Sequence, residues 1–190
     1  MTNIFFTSDP HYDHLGSMNF WGRKKYNFQN LNQMNDLLIN NWNELVPSSG
    51  TVYILGDFTL HKDKNRISNI LTQLRGKKIL IRGNHDKLKS GEYYTAGFSD
   101  VCDYKEININ KQKIILSHYS LLVWKNCHYE SWCLYGHSHG VLEHINRKEF
   151  ITNHPELNFH FSTKTMDVGV ETNNFYPYSF EDIEQIMENK

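Results

Sequence analysis

The chain has 190 residues, of which 39% are hydrophobic and 14% aromatic. Against about 100–200 residues per domain, that length predicts one domain, 1–190, large enough to bury a core of its own. The 20 basic and 21 acidic side chains leave a formal charge of −1, which excludes nucleic-acid binding through overall charge. The aromatic content excludes a disordered chain.

No run approaches the roughly 18 apolar residues of a membrane span. The segment from Met1 to Phe6 lacks the basic stretch and long apolar run of a signal peptide. Cys102, Cys127 and Cys133 have no paired spacing of the metal-binding kind and read as free thiols in a reducing compartment. The expectation is a cytoplasmic protein with no membrane partner.

Taken in chain order, Asn3 to Ser8 is a short apolar run that stops at the polar Asp9-Pro10-His11-Tyr12-Asp13-His14, a buried strand feeding a loop. From Leu31 to Leu45 the apolar residues recur at helical spacing, and Asn30 with Gln33 resembles a capping box. Thr51 to Leu55 is a second strand, followed by Gly56-Asp57. Ile67, Ile70, Leu71 and Leu74 line one face of a short helix that Gly76 stops. Lys78 to Arg82 is a third strand, ending in Gly83-Asn84-His85-Asp86.

This alternation predicts an α/β fold with a parallel sheet at the amino-terminal end. The second half reads as more β-rich, with strands at Val101–Ile109, Lys113–Ser117, Trp132–Tyr135 and Thr165–Val170, the first two joined by a hairpin at Asn108–Lys111. The polar stretch 140–164 reads as a loop or hairpin insertion, fit for a lid or a homo-oligomer contact. Its His144, His154 and His160 read as surface residues. Ser179 to Met187 is a closing helix capped by Ser179 and Asp182.

The polar groups at the strand ends carry the chemistry: Asp9 with His11, Asp57, Asn84 with His85, His118, and His137 with His139. In an α/β sheet, functional groups gather where the carboxyl ends of the strands meet the loops. Asp, Asn and His donors without thiolate suit Mn, Fe, Zn or Ni rather than a structural zinc knot, with Mn the first expectation. On extended backbone, Asp9 and His11 would point to one side, as would His137 and His139. Seven such donors (Asp9, His11, Asp57, Asn84, His118, His137, His139) exceed one four-coordinate ion and suit two divalent ions bridged by Asp57. Two ions about 3.5–4 Å apart can hold a phosphate, lower the pKa of a bridging water and stabilise the leaving oxygen.

Asp9-x-His11, Gly56-Asp57, Gly83-Asn84-His85-Asp86, His118 and Gly136-His137-x-His139 resemble, in order, the sequence blocks of the calcineurin-like metallophosphoesterases. The likeness runs from Asn3 to at least Val170. Within that superfamily the chain looks most like small bacterial and phage phosphoesterases, through Asp9 to His14, Asn41-Trp42, Leu55 to Phe58, Tyr135 to His139 and Asp167 to Val170. The resemblance implies a four-layer α/β/β/α sandwich of two facing mixed β-sheets flanked by helices. It implies that Asp9, His11, Asp57 and His139 hold one ion, and Asp57, Asn84, His118 and His137 the other. It further implies that His85 contacts the phosphate and protonates the leaving group, with Asp86 supporting it. The hydrolytic nucleophile is expected to be a hydroxide bridging the two metals.

His14, Arg82 and Tyr119 are further candidates for substrate contact. Arg82 could equally pair with an acid. Tyr119, Trp124, Trp132 and Tyr135 could form a wall that stacks a nucleobase, or could pack the second sheet. Without a basic run or a capping region, duplex nucleic acid is a poor substrate. The expectation is a phosphodiesterase on a small phosphate ester or a linear or cyclic nucleotide. The alternatives are a phosphomonoesterase, a nuclease on single-stranded nucleic acid, or a non-catalytic scaffold.

Overall fold

The computed structural model describes every residue except Met1, Trp21, Asn146 and 158–160, so His160 lies outside the described residues. The elements are β1 (Ile4–Thr7), α1 (Leu31–Leu45), β2 (Thr51–Ile54), α2 (Lys64–Leu71), β3 (Lys77–Ile81), α3 (Ser90–Ala96), β4 (Asp100–Cys102), β5 (Tyr104–Ile109), β6 (Gln112–Ser117), β7 (Trp132–Tyr135), α4 (Arg147–Asn153), β8 (Thr165–Asp167), β9 (Tyr178–Ser179) and α5 (Phe180–Glu188). One sheet has the order β4-β3-β2-β1-β9, and the other β5-β6-β7-β8. The first is parallel except for β9. The second has an antiparallel β5–β6 pair followed by parallel β7 and β8.

The alternation of side chains along each strand divides the core in two. Phe5, Val52, Ile54, Leu80 and Val101 face helices α1 to α3. Their neighbours Phe6, Ile79 and Ile81 face the second sheet and meet Ile114, Leu116, Trp132 and Leu134 there, with Phe180, Ile183 and Met187 of α5 in the same cluster. On the outer face of the second sheet Ile115 and Cys133 are covered by Leu121, Trp124 and Cys127. The architecture is thus two mixed sheets face to face, flanked by helices.

The helix caps follow from local chemistry. Asn30 accepts the Gln33 N–H at 3.1 Å, while the Gln33 side chain returns to the Gln29 N–H. Ser179 and Asp182 form the reciprocal pair at the start of α5. The Asn41-Trp42 pair anchors α1: Asn41 donates to the Asn174 carbonyl and Trp42 to that of Arg75.

Three expectations are corrected. The single strand anticipated over 101–109 is two strands in different sheets: β4 pairs with β3, the chain crosses at Asp103, and β5 pairs with β6. The described residues of 140–164 form no strand. They hold a 3-10 turn at Val141–His144, then α4, then a 3-10 turn at Pro155–Leu157, so local i to i+3 and i+4 contacts satisfy the polar backbone there. Finally, β8 stops at Asp167, short of Val170, where the chain enters a 3-10 turn. His144 is exposed, and His154, 47% exposed, pairs with Glu156. No disulfide joins Cys102, Cys127 and Cys133, and Cys127 and Cys133 are buried. Among the described residues no helix is long and apolar enough to cross a membrane.

Candidate metal centre

The loop after β1 runs beside the loop after β2. Asp9, His11 and Tyr12 donate their N–H groups to the carbonyls of Gly56, Asp57 and Phe58 at 2.9–3.1 Å. This lattice brings the first two polar blocks together. The loop after β7 then docks on the first, where the His137 N–H donates to Asp9 Oδ2 at 2.8 Å. A side chain at Gly136 would collide with Ser8 Oγ and Asp9 Oδ2, so glycine is what lets the two loops touch.

Two donor groups result. Asp9, His11 and His139 have ligand atoms within 4.8 Å of one another, as do Asp57, His118 and His137. Asp57 Oδ2 lies between them, 3.7 Å from His11 Nε2, 3.7 Å from His118 Nε2 and 3.9 Å from His85 Nε2. Asn84 Oδ1 stands 3.0 Å from His118 Nε2. The other Asp57 oxygen accepts the His85 N–H.

Metal coordination fits this donor set. Asp9 Oδ1 and His11 Nε2 are fully buried and have no hydrogen-bond partner among the described residues, an arrangement that is costly unless a cation completes it. Burial pushes the His11 imidazole strongly down and the His118 imidazole down, so both are held neutral, the form that ligates. Burial pushes the Asp9 carboxyl well up, opposed by His139, and a bound cation would reverse that shift. His139 goes the other way: burial lowers it, but the hydrogen bond and charge of Glu171 outweigh burial and raise it.

The backbone at these positions departs from expectation. Asp9, His11, Asp57, His137 and His139 all have left-handed φ, from 49° to 66°. The two-apart donors therefore converge through tight left-handed turns and not along extended backbone. Each such residue costs on the order of 1–3 kcal/mol unless its surroundings impose it, and such residues cluster at functional sites.

The remaining candidates divide. Tyr119 is 48% exposed and sets its ring against His118 and His137, at centroid distances of 5.0 and 4.9 Å. His14 lies with its Nδ1 3.4 Å from that of His11. His85 stands at the opening, its side chain 41% exposed. Arg82 does not join them: its guanidinium grips Asp103 in two bonds of 2.8 and 2.7 Å, because Asp103 directly follows β4, the strand beside β3. Asp86 does not hydrogen-bond His85. Its buried carboxylate accepts the N–H groups of Gly83, Asp57 and Phe58, bracing the two turns that carry Asn84 and Asp57. Burial pushes this carboxyl up to about 7 even against those bonds. The aromatic wall also dissolves: Trp124, Trp132 and Tyr135 are buried in packing, and of the four only Tyr119 borders the donors.

Four participants carry no local signal in the sequence. Phe20 packs edge-on against His11, His14 and His139. Asp167 accepts from Ser138 Oγ and the Gly140 N–H, holding the turn that bears His137 and His139. Arg23 and Glu171 form a buried ion pair at 2.5 Å, and Glu171 also meets His139 Nδ1 at 3.0 Å. The run Asp167 to Val170 figures in the family resemblance, but nothing in it indicates this contact.

The chain is 31% identical over 194 residues to an uncharacterised protein of Methanocaldococcus jannaschii, covering 99% of this chain and 93% of that one. A solved structure of a protein of unknown function from Aquifex aeolicus matches with a TM-score of 0.68 at 25% identity, covering 96% of this chain and 98% of that one. A nuclease from Pseudomonas putida matches with a TM-score of 0.41 at 19% identity, covering 72% of this chain and 62% of that one. The calcineurin-like phosphoesterase family model matches residues 2–178, so the chain belongs to that family and is a metal-dependent phosphoesterase.

Proposed function

We propose that the protein is a phosphodiesterase acting on a small phosphate ester or a linear or cyclic nucleotide, with two divalent ions, Mn first among them. Asp9, His11, Asp57 and His139 hold one ion. Asp57, Asn84, His118 and His137 hold the other. The observation that carries this reading is Asp57 Oδ2, equidistant at 3.7 Å from an imidazole of each donor group, beside the unpartnered buried atoms of Asp9 and His11.

The ion pair supplies Lewis-acid stabilisation of the phosphoryl oxygens and a water of lowered pKa. The chain's own residues do the rest. Asn84 contributes a neutral donor, which keeps the site from repelling an anionic phosphate. His85, half exposed beside Asp57, delivers a proton to the leaving alkoxide. His14 and Tyr119 flank the opening, where Tyr119 offers a ring face to the organic group of the ester. Asp86 acts on Asp57 through the backbone. The open rim around His85, His137 and Tyr119 supports an ester with two organic substituents. Three cysteines with no disulfide among them support a cytoplasmic setting.

The test is hydrolysis of bis-p-nitrophenyl phosphate and p-nitrophenyl phosphate by Mn-loaded and chelated protein. Metal-dependent cleavage of the diester is the expected result. Cleavage of the monoester alone would replace this reading with a phosphatase, and release of nucleotides from single-stranded oligonucleotides alone would replace it with a nuclease.

A further inference from the structure

The Arg23–Glu171 pair is separated by 148 residues in the chain, yet both side chains are fully buried. Placing an ion pair there is expensive in desolvation, and hydrophobic side chains of similar volume often do as well. Stability is therefore a weak reason for its presence, and its contacts point elsewhere. Arg23 donates to the Asp9 carbonyl at 2.6 Å and to the Pro10 carbonyl at 3.2 Å. These are the carbonyls of the turn in which Asp9 and His11 adopt left-handed φ. Its guanidinium also lies over Phe20 and Phe175, at 5.8 and 5.5 Å from the ring centres. Phe20 in turn packs on His11 and His139.

Glu171 completes the link. The same oxygen, Oε1, meets Arg23 Nε and His139 Nδ1, while Oε2 has no hydrogen-bond partner among the described residues. A carboxylate accepts and cannot donate, so this contact requires the hydrogen of His139 to sit on Nδ1. In the neutral ring Nε2 then carries the lone pair, and Nε2 is the atom left to face an ion.

We propose that Arg23 and Glu171 are positioning residues for one ion alone, that of Asp9, His11 and His139. Arg23 holds the Asp9 turn through its carbonyls, and Glu171 fixes the tautomer and ring orientation of His139. Neither reaches the group of Asp57, His118 and His137, whose braces are Asp86 and the Leu55 carbonyl on His118 Nδ1. The inference rests on the two-ion reading above.

The experiment is a titration of the metal-free full chain with Co(II), read by its visible absorption bands and by competition with a chromophoric chelator, without any activity measurement. The wild-type chain is expected to bind two equivalents; if it binds none or one, the two-ion reading itself fails. Given two, Glu171→Gln is expected to weaken one site roughly 10–100-fold and to change the spectrum of that site only. Unchanged affinities, or equal weakening of both sites, would overturn the proposal. Glu171→Gln leaves Arg23 buried without its counter-charge, so the chain can fail to fold. The double variant Arg23→Met with Glu171→Met removes both charges. Circular dichroism identifies a folded double variant, and it is expected to show the same selective loss at one site. A folded double variant with both sites at wild-type affinity would overturn the proposal.

Discussion

The two donor groups are built differently. The group of Asp9, His11 and His139 is sunk in the protein: Asp9 and His11 are buried, Phe20 covers their edge, and a buried ion pair stands behind them. The group of Asp57, His118 and His137 has a buried floor but an exposed rim, with His137, His85 and Tyr119 open to solvent. In the first group the protein provides nearly all the surroundings. In the second it leaves space for something else. On the proposed reading, the difference amounts to a division of labour in which the buried half anchors one cation and the accessible half receives the ester.

The strongest way to break that division is at the shared carboxylate. Asp57→Asn is expected to lower the affinity of both ions and to abolish hydrolysis, a loss beyond about a thousandfold. Elemental analysis of the purified variant checks the metal, and loss of only one ion would show that Asp57 serves a single half. Next in size is His85→Ala. Because His85 is expected to move a proton and not to ligate, the variant should retain both ions while turnover falls by roughly 10²–10⁴. A variant that lost its metal would make His85 a ligand.

Removal of metal sharpens the comparison further. Progressive chelation should strip the accessible half first and the buried half last. Full loading should raise unfolding stability by about 2.7 kcal/mol for each site at a hundredfold excess over its Kd. Two indistinguishable sites in a calorimetric titration would contradict the division. The smallest effect is expected at Tyr119→Ala. This variant should keep its metals and kcat and raise KM a few-fold for an aromatic diester, with no change for a methyl ester. An equal change for both would mean that the ring merely packs.

Much of this site was legible because its signals are local. A short apolar run that ends in Asp, Asn or His reads as a strand delivering a donor, whatever the rest of the chain does. The helix caps at Asn30 and Ser179 were legible for the same reason, since the bonds that make them span three or four residues. Arg82 shows the limit: nothing in Lys78 to Arg82 reveals that Asp103, 21 residues later, would take its guanidinium.

What the amino-acid sequence by itself determined was the α/β alternation, the strand ends and the kinds of donor they carry, because apolar periodicity and side-chain chemistry act over a few residues. Tertiary structure alone decided where the chain leaves one sheet for the other at Asp103, which turns become left-handed, and that Arg23 and Glu171 meet behind His139. Those outcomes depend on contacts between segments separated by up to 148 residues, and only the packed core brings such segments within hydrogen-bond reach.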